Sequence, residues 1–195
     1  RNECPETKYI DGRATPLEQL ILPYRFYNDE DIRNRLIYVE ASRGCPFKCE
    51  FCLSALDKTA TAFPLDAFLS EIDQLWQRGV RNFKFIDRTF NLKITTSIAI
   101  LEFFLERMSD DLYLHFEVVP DNLPDKLKSV LQKFPPNSLQ FEIGIQTFDS
   151  EIQERISRKQ NNDKSKDNIR WLREHSGAHL HTDLIFGLPG DTLDN

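Results

Sequence analysis

The stretch Leu139-Gln140-Phe141-Glu142-Ile143-Gly144-Ile145-Gln146-Thr147 alternates apolar and polar residues with a period of two, the mark of a strand that buries one face. Phe141, Ile143 and Ile145 fall on one side; Gln140, Glu142, Gly144 and Gln146 fall on the other. The same division runs through residues 114–119, where Leu114, Phe116 and Val118 oppose His115 and Glu117. In residues 179–187, Leu180, Thr182, Leu184 and Phe186 oppose His179, His181 and Asp183. Parallel strands covered on both faces read as continuous apolar runs. Three strands sharing one polar face therefore predict a curved sheet, helices outside, around a ligand-filled interior. The alternative is a sheet with one side open to water, which is common for antiparallel sheets and rare for parallel ones.

Working outward, residues 37–41 and 82–87 supply two earlier strands. Between them, Leu65, Phe68, Leu69, Ile72, Leu75 and Trp76 repeat at helical spacing, bounded by Pro64 and Gly79. Further helices are predicted over 95–108, 124–134, 149–157 and 163–175. Strands alternating with helices imply right-handed βαβ units and a parallel sheet. Five strands can be counted, and the sheet looks unfinished at Asn195; Met108 is the single methionine. The chain is accordingly read as an excerpt, with residues 1–35 a connecting arm and 36–195 the core domain.

Composition narrows the function. The 195 residues are 40% hydrophobic, enough for one sizeable core, and 29% charged. A net charge of −6 argues against a dedicated nucleic-acid binder, since phosphate contacts need a basic field. No apolar run reaches the roughly 18 residues needed to span a bilayer, and the opening residues carry no secretory pattern. A cytoplasmic protein without a membrane partner is expected.

The chemistry is concentrated just after the first strand. Arg43-Gly44-Cys45-Pro46-Phe47-Lys48-Cys49-Glu50-Phe51-Cys52 is a C-x3-C-x2-C array. Three clustered thiols point to metal or redox chemistry rather than disulfides. A structural zinc site recruits four protein ligands, and no fourth Cys or His lies nearby in sequence. Three thiolates suit an iron–sulfur cluster that keeps one iron free. A zinc knuckle completed by His115, His181 or Cys4 stays open. A thioredoxin-like reading fails, because a third cysteine sits in step with the first two.

At these residues the sequence resembles the radical S-adenosylmethionine (SAM) superfamily, whose cluster loop is C-x3-C-x-aromatic-C. The resemblance implies an α/β fold, a partial (β/α)6 barrel of which the first five parallel strands are visible, with helices outside and the C-terminal part missing. It implies a [4Fe–4S] cluster on Cys45, Cys49 and Cys52, with Phe51 near the adenine of SAM. Reductive cleavage of SAM to a 5′-deoxyadenosyl radical would follow, with no catalytic residues beyond the cluster and SAM ligands. Asp87 or Thr89 stands where the family supports the SAM amino group, although the stretch departs from the family's Gly-Gly-Glu; a helix-leading turn capped by Asn91 or Thr95 is the other reading. Glu117 resembles a third-strand Glu facing SAM, Gln146 a fourth-strand Gln reaching SAM, and Asp183 and Gly187 a fifth-strand motif on the adenine side.

An internal salt-bridge network is the alternative for Glu117, Glu142 and Asp183. His115 and His181 read as structural or substrate-facing. Arg155, Arg158 and Lys159 read as a solvated face, or as partners of the SAM carboxylate. The segments around Ile37, Asp87 and Glu117 look most like radical SAM proteins carrying an upstream cobalamin-binding domain. Flavodoxin or ferredoxin is the implied reductant, and the substrate is unknown. A tRNA-modifying or porphyrinogen-type enzyme, a non-catalytic iron–sulfur electron-transfer module and a zinc-stabilised binding module remain alternatives.

Overall fold

Each period-two segment becomes a strand of one parallel sheet. The computed structural model describes Gly12, residues 15–56 and residues 59–192. In chain order the elements are α1 (Asp29–Asn34), β1 (Ile37–Val39), β2 (Ser42–Gly44), β3 (Ala60–Ala62), α2 (Leu65–Gln77) and β4 (Asn82–Phe85). There follow α3 (Ile94–Leu105), β5 (Tyr113–Val118), α4 (Asp125–Leu131), β6 (Leu139–Gln146), α5 (Ser150–Arg155), α6 (Asn162–His175) and β7 (His179–Leu184). The main sheet has the order β1-β4-β5-β6-β7, all neighbours parallel. This is the α/β architecture expected: a run of βα units laid side by side.

The buried face is aromatic. Phe85 packs on Phe68 of α2 at a ring-centroid distance of 6.0 Å and on Phe116 at 4.6 Å, and Phe116 packs on Phe141 at 6.1 Å. The cluster includes Ile72 and Leu75 of α2, Leu101 and Phe104 of α3, Leu127 and Leu131 of α4, and Leu172 of α6. Fully burying one such side chain is worth about 1.5–3 kcal/mol, so this apolar layer fixes the helices to one face. β6 alternates strictly between buried and half-buried residues along its length. Its other face is left to the site.

Two features, a ribbon and a short helix, differ from expectation. A two-stranded antiparallel ribbon, β2–β3, brackets the cysteine loop, where the sequence showed only a loop. Gly44 sits at its mouth with φ +92°, and a Cβ there would meet the Thr59 carbonyl oxygen. The arm contains α1, closed by a reciprocal capping box between Asn28 and Asp31. Tyr24, also in the arm, is buried against Phe68 and hydrogen-bonded through its hydroxyl to the backbone of Glu40.

The last strand ends at Leu184, three residues earlier than expected. A register shift between Gly144 and Gln146 breaks the ladder. β7 is the sheet's edge among the described residues, so of its apolar side only Leu180 packs on the core, and Leu184 and Phe186 are exposed.

Candidate functional site

The cysteine loop is held against the C-terminal end of α5. The Glu50 N–H donates to the Ile156 carbonyl (3.0 Å), and the Ser157 hydroxyl donates to Glu50 Oε1 (2.7 Å). Arg158 Nη1 lies 3.8 Å from Cys49 Sγ, and its other terminal nitrogen donates to the Gly144 carbonyl. Arg158 is thus not the solvated side chain that its sequence setting predicts: it reaches inward and ties the loop to β6. Lys159 is exposed, as a solvated face requires. Cys49 is buried, Cys45 half-buried and Cys52 exposed. Cys4 lies outside the described residues.

A cavity of about 430 Å³ opens between this loop and the polar face of the sheet. Its lining brings together Cys45, Cys49, Cys52, Phe51, Thr89, Glu117, Gln146 and Asp183. Residues from β5, β6, β7 and two loops therefore converge on one space, 138 positions apart at the extremes (Cys45 to Asp183). Glu142 and Arg158, which the sequence left between alternatives, also line the wall, and the structure adds Lys84 and Arg88. Lys84 carried a legible signal, since it sits between inward Phe83 and Phe85 and so shares the polar parity. Arg88 carried none.

Two expected residues are placed elsewhere. The Asp87 carboxylate is buried and spent on the chain leaving β1: Oδ2 accepts from the Ala41 N–H (2.9 Å) and Oδ1 from the Ser42 hydroxyl (2.6 Å). Burial pushes its pKa up to about 6 against the pull of those hydrogen bonds. It anchors the chain that leads into the cysteine loop and does not line the cavity. Gly187 is exposed beyond the end of β7 and outside the cavity wall. Asn91, read as a possible helix cap, is instead fully buried and bridges the Val119 and Asn122 backbones.

The residues of the polar face divide into a partnered set and an unpartnered one. In the first, Glu142 Oε1 meets His115 Nε2 (2.7 Å), His181 Nδ1 (3.1 Å) and the Gln140 amide (2.7 Å), and Tyr113 donates to Gln140. The alternative reading of an internal network therefore holds for Glu142. Burial pushes the Glu142 pKa up, but hydrogen bonds from Gln140 and His115 outweigh it and the net displacement is downward. Burial, then the nearby Lys84, lowers the pKa of His115, so that contact joins a carboxylate to a neutral imidazole. For the second set the opposite holds. Among the described residues, Lys84, Arg88, Glu117, Gln146 and Asp183 make no side-chain hydrogen bond or ion pair with the protein. Burial raises the pKa of Glu117, opposed by Arg88 and Lys84.

Polar groups left unpaired in a partly buried cleft are the ones a ligand satisfies. This wall carries both signs: Lys84, Arg88 and Arg158 against Glu117, Glu142 and Asp183. A zwitterion matches it. The donor set of the loop, three thiols, fits an iron–sulfur cluster. Among the described residues no three His, Cys, Asp or Glu side chains are gathered tightly enough to enclose a metal ion; thiols come together when a metal displaces their protons. A zinc site completed by His115 or His181 is disfavoured, because Glu142 engages both.

Comparison with known proteins agrees with this chemistry. The family model described as the radical SAM superfamily matches residues 39–195. The ribosomal protein uS12 methylthiotransferase RimO of Trichlorobacter lovleyi is 26% identical over 166 residues, covering 81% of this chain and 37% of that protein. RimO of Porphyromonas gingivalis is 26% identical over 210 residues, covering 98% of this chain and 48% of its own length. The chain thus spans less than half of the curated relatives it matches. Among solved structures, the radical SAM methyltransferase TsrM of Kitasatospora setae superposes with a TM-score of 0.69 at 20% identity, over 83% of this chain and 32% of TsrM. A second TsrM structure, with cobalamin and a [4Fe–4S] cluster bound, gives 0.68. At such identity the likeness shows a shared fold.

Proposed function

The chain belongs to the radical SAM superfamily, and from that premise we propose that its cavity seats a [4Fe–4S] cluster on Cys45, Cys49 and Cys52 with SAM beside it. The observation that carries the reading is the convergence of all three cysteines with the unpaired residues of the sheet on one 430 Å³ space. Bound together, the two groups supply reductive cleavage of the SAM carbon–sulfur bond to a 5′-deoxyadenosyl radical.

The chain's own residues bind and orient. Phe51 offers a ring face to the adenine. Arg88, Lys84 and Arg158 are the cations that can meet the SAM carboxylate; Glu117, Thr89 and Asp183 are the acceptors for its ammonium and ribose. Gln146 offers both a donor and an acceptor. Glu142, held by His115, His181 and Gln140, stands in the cavity wall with its carboxylate already partnered.

The reaction completed is either hydrogen abstraction or transfer of a methyl-type group, on a small-molecule or macromolecular substrate. The fold shared with TsrM and the sequence resemblance to cobalamin-associated proteins accord with a cobalamin-binding domain in a longer protein, joined through the arm. The test is anaerobic reconstitution with iron and sulfide, then reduction with SAM present. Brown protein that yields 5′-deoxyadenosine, with both lost in Cys49→Ala, is the expected result. A cluster that forms and reduces while SAM neither binds nor breaks would refute the reading in favour of electron transfer. A colourless protein holding one zinc would refute it in favour of a binding module.

A further inference from the structure

Two histidines on the polar face share one carboxylate oxygen and differ in exposure. Strand register sets Glu117, Glu142 and His181 in one row across β5, β6 and β7, with Lys84, His115, Gln140 and His179 in the neighbouring row. Glu142 Oε1 lies 2.7 Å from His115 Nε2 and 3.1 Å from His181 Nδ1. The side chain of His115 is 9% exposed and that of His181 57%. His115 is packed into the network; His181 is held by it at one nitrogen.

The carboxylate fixes the tautomers. The Glu142 pKa is displaced downward, so the group has no hydrogen to give, and each imidazole nitrogen facing it must donate. The Gln140 amide is 3.2 Å from the same His181 nitrogen, but it too donates to Glu142. His115 therefore carries its hydrogen on Nε2 and His181 on Nδ1. In the neutral ring the other nitrogen of His181, Nε2, is a bare lone pair, and among the described residues it has no hydrogen-bond partner. An imidazole held by a carboxylate at one nitrogen and free at the other is set to accept a proton. His181 does not line the cofactor cavity, yet it stands two residues before Asp183, which does, on the same face of β7. Two residues along a strand are ~7 Å, so a molecule resting on Nε2 lies beside SAM.

We propose that His181 is a proton acceptor for the substrate, its ring set by Glu142, and that the substrate accordingly presents a hydroxyl or amine hydrogen to this face. The inference rests on the SAM reading of the cavity and names the substrate class for it. In the step, the substrate O–H or N–H bond breaks and leaves its electron pair on the oxygen or nitrogen. A new N–H bond forms at Nε2. The imidazolium is balanced by Glu142 at its far nitrogen, and the proton passes on to water from the exposed ring. No oxidant or reductant enters. Loss of that proton loosens an adjacent C–H bond toward abstraction, or frees a lone pair for methyl-type transfer.

The test reads the ring and then the proton donor. In nitrogen-15 imidazole spectra of the full chain, His181 should be protonated at Nδ1 and bare at Nε2, and His115 the reverse. In Glu142→Ala, His181 should pass to the Nε2–H form that predominates in free imidazole. The probes are phenol and anisole, which share a ring while phenol alone donates a hydrogen. On the reconstituted chain with SAM, phenol should shift the His181 Nε2 resonance saturably and anisole should not. Phenol should bind ~5-fold or more weaker in Glu142→Ala, the loss of about one hydrogen bond. Wild-type His181 protonated at Nε2 would overturn the proposal without recourse to any variant, and so would phenol and anisole acting alike. A chain that takes up no cluster would overturn the cavity reading and the substrate role with it, while the tautomer of His181 stays readable; a chain that loads both cofactors but fails the tautomer or probe arm overturns this proposal alone.

Discussion

Asp87→Asn isolates a buried charge whose cost can be worked from its surroundings. The wild-type carboxylate is 2% exposed, takes two hydrogen bonds from the chain leaving β1, and has its pKa pushed by burial from the usual 3.8 up to about 6. That displacement corresponds to ~3 kcal/mol between the two protonation states. The native pKa is raised, so between pH 3.8 and about 6 the native state holds a proton that the unfolded chain has released. Asp87 therefore makes the wild type lose stability as pH rises through this window and leaves it level above. The Asn variant has no such loss. Its carbonyl can accept from the Ala41 N–H while its amide donates to the Ser42 oxygen, so at pH 4 the two proteins should be of similar stability. By pH 7 the variant should be ahead by up to ~3 kcal/mol. Urea unfolding of both proteins from pH 4 to 8, with the denaturant slope checked for constancy, measures the difference directly. Because Asp87 does not line the cavity, SAM affinity of the reconstituted variant should be unchanged. Parallel stability profiles would refute the buried-charge reasoning. Weakened SAM binding in a stable variant would refute the structural placement and return Asp87 to the cofactor.

Two further substitutions probe the framework. Asn91→Ala removes a fully buried side chain that donates to the Val119 and Asn122 carbonyls (2.8 and 2.7 Å) and accepts from the Val119 N–H (2.9 Å); a loss of ~3 kcal/mol or more in urea unfolding is expected, and a loss below ~1 kcal/mol would contradict the bridge. Ser157→Ala removes the hydroxyl that holds Glu50 and should release iron several-fold faster under a chelator while global stability changes little. Ser157→Asn, which keeps a donor and tolerates the φ of +54° at this position, should restore retention.

The fold was legible because its strands obey a single rule. In β6 the apolar residues Phe141, Ile143 and Ile145 are all buried and Gln140, Glu142, Gly144 and Gln146 are all half-buried, so the alternation translates directly into two faces. The helices follow for a similar reason: Phe68, Ile72 and Leu75 repeat at helical spacing and pack into the same core. What escaped was local and pairwise. The β2–β3 ribbon has only three residues on each side, too short for a period to register. α1 buries no residue; its capping residues were the only signal. The outer side of β7 was read as apolar from its alternation, but burial depends on what covers a strand, and for an edge strand the sequence holds no record of that.

The site divides along the same line. Which face holds it follows from parity; which of its residues are free to bind follows only from their neighbours. Glu117 and Glu142 occupy paired positions on adjacent strands and are indistinguishable in the alternation. Glu142 has two imidazoles and an amide within hydrogen-bonding reach, contributed by residues 115, 181 and 140, whereas Glu117 lies one strand closer to Lys84 and Arg88, which oppose, without overcoming, the upward push of burial on its pKa. A half-buried carboxylate with no donor costs free energy until something donates to it. The Asp87 carboxylate, by contrast, is satisfied by Ala41 and Ser42, two residues that belong to an element 45 or so positions earlier. Among the acids the sequence offered, partnership within the fold thus takes up Asp87 and Glu142 and leaves two in the cavity wall without a protein partner, Glu117 half-buried and Asp183 exposed.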